Sequence, residues 1–300
     1  MMRMLAWAVV LAGMAPMAGA GTLVRGGATI AYEVAGTGTP VLLLAGGPGI
    51  DAAYLAPLAK SLATAHRTVV LHQRGTGRSE VKPLDASTVS LRLLLEDIEA
   101  LRVELGIDRW VILGHSWGGL LGMAYAQAHP ARVRGLVLVG SGGPSMEWMA
   151  YYGDNVLARL PLYDRKAAAY WIEPGRYLAD PERAVLEYSR ATAPAMVYDP
   201  EKVLTLVEQS FRPGAFNAAV NLLLTPQIVG YDFRPALARL EAPVLVVQGR
   251  QDPVGESTAR ALADAFPRAT LRFLERCGHW PFVEKEEEFL ALVREFLAGV

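Results

Sequence analysis

The sequence predicts an α/β fold: a mostly parallel sheet flanked by helices and interrupted by an inserted helical cap. Three observations predict it. From residue 21 onward, short apolar runs that read as strands alternate with segments of helical periodicity. That alternation stops near residue 142 and resumes near residue 236. With 300 residues, 52% of them hydrophobic, the chain can bury one large core, and one domain with an insertion suits its length.

The elements follow in order. Thr22–Arg25 and Ala28–Val34 read as short strands joined through Gly26-Gly27, a hairpin signal. Val41–Leu44 is an unbroken apolar strand that ends in the loop Ala45-Gly46-Gly47-Pro48-Gly49. A helix is expected near Ala52–Ala65, then the strand Thr68–His72. Thr88–Leu105 carries the clearest helical pattern. Its Leu91, Leu94, Ile98, Leu101 and Leu105 recur at steps of three and four, with Gly106 placed to cap the C-terminus. Strand Trp110–Leu113 leads into a helix near Trp117–Ala128, and Val133–Val139 is the next buried strand.

Eight of the eleven tyrosines fall between residues 143 and 235, where prolines are also frequent and apolar spacing is helical over short pieces. This interval reads as the cap. The core is then residues 21–142 and 236–300. In its second part, strand Pro243–Gln248, helix Ser257–Ala265, strand Thr270–Phe273 and a last helix from about Val283 to Ala298 are expected. The run Glu284-Lys285-Glu286-Glu287-Glu288 reads as a solvated face that favours a helix N-terminus.

Residues 1–20 read as a secretory signal peptide: Arg3, the apolar run Met4–Ala15, Pro16 and the small stretch Ala18-Gly19-Ala20. The run is short of the roughly 20 residues that span a bilayer, so export is expected and membrane contact is not, unless the leader is retained. Lys plus Arg (29) and Asp plus Glu (30) nearly cancel, which leaves no basic field for nucleic acid. The single cysteine, Cys277, excludes an intrachain disulfide and reads as a small buried hydrophobe. Oligomeric state is open at this stage.

The chemistry centres on Gly114-His115-Ser116-Trp117-Gly118, a G-x-S-x-G pattern between a buried strand and a helix. A nucleophile elbow needs that setting, because its serine occupies a strained turn with nearly absent flanking side chains. A serine hydroxyl needs a base. Of the five histidines, His279 in Cys277-Gly278-His279-Trp280-Pro281 lies on a loop at a C-terminal strand end, where active sites of open sheets collect. The base needs an acid, and Asp252 follows strand Pro243–Gln248 in the chain order Ser, Asp, His. The other strand end for an acid, after Val139, holds Gly140-Ser141-Gly142-Gly143 and no carboxylate. Backbone N–H groups of Trp117 and Gly47 are the expected oxyanion donors. No metal-ligand spacing or phosphate-binding loop is present, so no metal and no cofactor is expected, and the partner is a small-molecule or short-peptide substrate.

These motifs, with Gln73-Arg74-Gly75-Thr76-Gly77-Arg78-Ser79, resemble the α/β-hydrolase superfamily, and most closely its proline iminopeptidase (prolyl aminopeptidase) branch. The resemblance implies the α/β-hydrolase fold and an aminopeptidase that releases N-terminal proline through an acyl-enzyme. A carboxylesterase, lipase or lactonase is the alternative, and a non-catalytic ligand-binding relative the third reading. Ala45 stands where the family usually has His, and His72 where it has Asp. An aminopeptidase of this kind also needs cap carboxylates for the substrate's ammonium. Glu173, Glu187 and Glu208 are the candidates, with Glu182 also available.

Overall fold

The computed structural model describes residues 19–300. The expected leader therefore lies outside the described residues except for Gly19 and Ala20, which open the first strand. Nine strands form one sheet: β1 (Gly19–Arg25), β2 (Ala28–Ala35), β3 (Pro40–Leu44), β4 (Arg67–Leu71), β5 (Glu80–Val81), β6 (Trp110–His115), β7 (Val133–Val139), β8 (Val244–Gly249) and β9 (Ala269–Leu274). Their order is β1-β2-β4-β3-β6-β7-β8-β9, with the two-residue β5 paired to β2. β1, β2 and β4 pair antiparallel, and the run from β4 to β9 is parallel.

The central strands are apolar throughout because both faces of the sheet are covered. Leu42, Leu44, Ile112, Leu136, Leu138 and Val246 point to one face, where α2 (Leu91–Glu104) and α3 (Trp117–Ala128) pack. Val41, Leu43, Val111, Leu113, Val137 and Val247 point to the other, under α1 (Ala56–Leu62) and the C-terminal helix.

Between β7 and β8 the chain builds the cap from α4 (Met149–Arg159), α5 (Leu162–Trp171), α6 (Pro174–Ala179), α7 (Pro181–Met196), α8 (Pro200–Phe211) and α9 (Ala218–Leu224), and α10 (Arg234–Leu237) returns it to the core. After β8 come α11 (Glu256–Asp264), then α12 (Pro281–Glu284) and α13 (Glu286–Ala298).

The helix expected near Ala52–Ala65 is a 3-10 turn over Ala52–Leu55 followed by α1, which ends at Leu62, and two further helices differ from the sequence reading. α2 starts three residues late, because Ser90 caps it by accepting from the Leu93 N–H at 3.3 Å, while the Thr88 hydroxyl donates to the Pro83 and Asp85 carbonyls. The last helix breaks at Lys285, whose φ of −137° leaves the helical region. Glu286, Glu287 and Glu288 fill the first turn of α13 and are exposed as expected, but Glu284 is buried.

Candidate active site

Ser116 joins β6 to α3 with φ 54° and ψ −119°, a strained backbone held by its own N–H donating to the Val139 carbonyl at 2.9 Å. The flanking glycines are required by space. A Cβ at Gly114 would lie 2.3 Å from the Gly118 oxygen, and one at Gly118 only 2.1 Å from the Leu44 oxygen. The elbow thus rests directly on the end of β3. Trp117 is the first residue of α3, so its N–H has no acceptor within the helix.

Asp252 follows β8 and is fully buried. Its Oδ1 accepts from the Val254 N–H at 2.9 Å, which leaves Oδ2 to the His279 Nδ1–H, also at 2.9 Å. His279 follows β9 and is itself buried. Ser116 and His279 line one cavity of about 490 Å³ between the core and the cap, together with Gly46 and Gly47 of the loop after β3. The structure therefore brings Ser116, His279, Asp252 and Gly47 to one end of the sheet.

Three residues that the sequence reading left without a role assemble this arrangement. Gln73 is buried, donates from Nε2 to the Ala45 carbonyl at 2.9 Å and accepts from Trp117 Nε1 at 2.8 Å. It ties the loop after β3 to the elbow. Tyr54 accepts from the Gly46 N–H at 2.6 Å and donates to His115 Nδ1 at 2.8 Å. His115 Nε2–H then donates to the His279 carbonyl at 2.8 Å. Burial, first, and the neighbouring His279 hold the His115 pKa well below the usual imidazole range, so its ring is neutral and its tautomer is set by that carbonyl. Gln73 opens the motif Gln73-Arg74-Gly75-Thr76-Gly77-Arg78-Ser79 and was available as a signal. Nothing local marks Tyr54, because its partners come from other segments.

The rest of the cavity wall is cap: Tyr152, Tyr177, Tyr188, Val185, Met196 and Phe211 among others. Among the described residues the lining contains no Asp, Glu, Lys or Arg. The cap carboxylates expected near a substrate lie elsewhere. Glu173 pairs with Arg176 at 2.9 Å on the surface, and Arg190 sits between Glu187 at 3.1 Å and Glu208 at 3.4 Å. Glu182 is exposed beside a separate shallow groove with Gly75 and Lys82. Each is paired with an arginine or, like Glu182, exposed to solvent, which avoids the cost of a charge facing an apolar wall.

The sequence model for the alpha/beta hydrolase fold matches residues 39–286. A probable proline iminopeptidase of Streptomyces coelicolor is 31% identical, with 87% of this chain and 89% of the relative covered. The proline iminopeptidase of Heyndrickxia coagulans is 27% identical over 90% of this chain and 94% of its own. Among solved structures, Est816, described as an N-acyl homoserine lactone degrading enzyme, superposes with a TM-score of 0.71. It is 25% identical and covers 92% of this chain and 100% of its own. The chain is an enzyme of the α/β-hydrolase superfamily, and its sequence resembles the proline iminopeptidases.

Proposed function

We propose that the protein is a serine hydrolase working through an acyl-enzyme on esters with neutral, apolar acyl groups. His279 Nε2 takes the Ser116 proton as Oγ attacks the carbonyl carbon. Asp252 keeps the other proton on Nδ1 and stabilises the imidazolium. The Trp117 and Gly47 N–H groups donate to the oxyanion; the Gly46 N–H is already engaged by Tyr54. Collapse of the tetrahedral intermediate expels the alcohol, which takes its proton from His279. Water then repeats both steps, releasing the acid and restoring Ser116.

The observation that carries the choice of substrate is the cavity lining without a charged residue. An ammonium bound there would lose its water and gain no carboxylate, which is costly. The second reading, an aminopeptidase releasing N-terminal proline, is favoured by the sequence relatives and by their coverage of the chain. A short-chain nitrophenyl ester and a chromogenic proline amide, free and N-acetylated, separate the two. The ester is expected to turn over fastest, with acetylation of the amide making no difference. Cleavage that requires a free N-terminus would replace the first reading by the second.

We also propose that residues 1–20 are a leader removed on export. Cleavage after Ala20 leaves Gly21–Arg25 still paired with Ala28–Tyr32. N-terminal sequencing of protein from the native host is expected to begin at Gly21, and Met1 in a soluble cytoplasmic fraction would overturn it.

A further inference from the structure

Glu284 ends α12 inside an acidic run, yet it is 5% exposed. Its two oxygens are spent on backbone donors from two different segments. Oε1 accepts from the Tyr198 N–H at 2.8 Å and the Asp199 N–H at 3.0 Å, both in the stretch that leaves α7 of the cap. Oε2 accepts from the Gly278 N–H at 2.6 Å, one residue before His279. A buried carboxylate is tolerated when both of its oxygens are hydrogen-bonded, and here two N–H donors reach one oxygen and a third reaches the other.

The same two segments meet a second time. The His279 N–H donates to the Met196 carbonyl at 2.7 Å. A Cβ on Gly278 would lie 2.2 Å from that Met196 oxygen and 2.5 Å from Val197 Cα, so backbone lies against backbone with no room for a side chain. Met196 also lines the cavity beside His279. One wall residue of the cavity is therefore also the residue whose carbonyl holds the histidine's own N–H.

We propose that Glu284 is a positioning residue: it fastens the connection between α7 and α8 of the cap to the loop carrying His279. Presentation of the imidazole to Ser116 then depends on how the cap is seated. The inference rests on the assignment of Ser116 and His279 made above. A carboxylate suits the task because both of its oxygens accept. A glutamine offers one acceptor and one NH₂, so on one side an N–H donor would face another donor.

An organophosphorus probe and the nitrophenyl ester test this on the full chain. Failure of the wild type to label, or equal labelling of S116A, removes the Ser116 assignment itself. With labelling confined to Ser116, E284Q decides the inference. Its kcat is expected to fall about 10- to 100-fold, the loss a displacement of about 1 Å can cause, with KM changed less than about threefold. The phosphonylation rate per folded molecule should fall in parallel, because that reaction needs the base but little of the acyl pocket. Labelling of folded E284Q at the wild-type rate would overturn the proposal. If E284Q does not fold, E284D is read in its place, with both acceptor oxygens on a shorter arm. Slower labelling at unchanged KM supports the role, and wild-type labelling overturns it.

Discussion

Arg74 in the core and Arg190 in the cap each hold carboxylates, in opposite surroundings. Arg74 is fully buried and meets Asp97 of α2 with two parallel bonds, at 2.8 and 2.6 Å, while its other nitrogen donates to the Gly26 and Thr88 carbonyls. It clamps the turn that carries Gln73, and Gln73 in turn sets the loop after β3 against the elbow. Arg190 lies 40% exposed between Glu187 and Glu208 and joins two cap helices through water-accessible charge. The contrast runs through both regions. Among the described residues, twelve of the fifteen exposed large hydrophobic side chains belong to the cap, so the cap is a thin cover and the core carries the fold. Polar side chains in the core are consequently geometry, whereas those on the cap are mostly surface.

The comparison predicts that the largest losses come from core groups at the strand ends. Ser116→Ala is expected to abolish turnover and labelling while the protein still folds, and Asp252→Asn to lower kcat by about 10⁴-fold, because asparagine holds His279 in the wrong tautomer. Combining the two should add little. Steady-state rates with the ester measure this, and near-wild-type activity in Asp252→Asn would move the acid elsewhere. Next in size is the buried pair. Asp97→Ala leaves the Arg74 charge unpaired in the core and should destabilise the fold by about 3–5 kcal/mol, read from denaturant midpoints. A loss under about 1 kcal/mol would mean that the Gln73 turn is held by something other than this pair.

The difference between the regions also decides what could be read in the sequence. The sheet was legible because burial on both faces forces unbroken apolar runs, and α2 because one buried stripe forces its spacing. Ser116, His279 and Asp252 were legible because each follows a readable strand at the same edge. The cap helices were visible only as an interval. α6, α7 and α8 all begin at prolines, but which side chains face the cavity depends on how the helices lean on the core, and no local spacing encodes that. Glu284 shows the same limit inside the core. The acids that follow it, Glu286 to Glu288, are solvated, and its burial is fixed by N–H groups 85, 86 and six residues away, a pairing that periodicity cannot report.

A smaller effect tests whether half-exposed core charges behave like the buried pair or like the cap. Glu99 on α2 accepts from Arg102 and from the Tyr125 hydroxyl, and the Arg102 bonds, against some burial, hold its pKa down at about 2. The folded state therefore releases this proton more readily than the unfolded chain. Its contribution is complete above about pH 4.5 and is lost as pH falls from there through about 2. With a partly exposed side chain, the amount is discounted to about 1 kcal/mol. Between pH 6 and about pH 2 the wild type should lose that much more stability than Glu99→Gln. Equal losses in the two proteins would place Glu99 with the solvated charges.

The smallest expected effects are in the cap, and they bear on substrate. Glu187→Gln and Glu208→Gln each remove one partner of Arg190 at a site open to water, where such pairs contribute about 0–1 kcal/mol. Neither side chain lines the cavity. Turnover of a neutral ester should therefore stay within about twofold of wild type, since no interaction that differs between ground and transition state is removed. Glu173→Gln, which loses Arg176, should behave alike. The outcome with a free prolyl amide is the sharper comparison. A carboxylate serving the substrate's ammonium would give charge-assisted hydrogen bonds of about 1.5–3 kcal/mol, so its loss would cost about 10- to 100-fold on that substrate and nothing on the ester. Selective loss of that kind in any of the three variants would mean that the cap closes on its substrate with an acid turned inward. The thin cover would then be a recognition element. If both substrates are indifferent to all three changes, the cap contributes an apolar wall, and selectivity rests on the shape set by Tyr152, Tyr188 and Phe211.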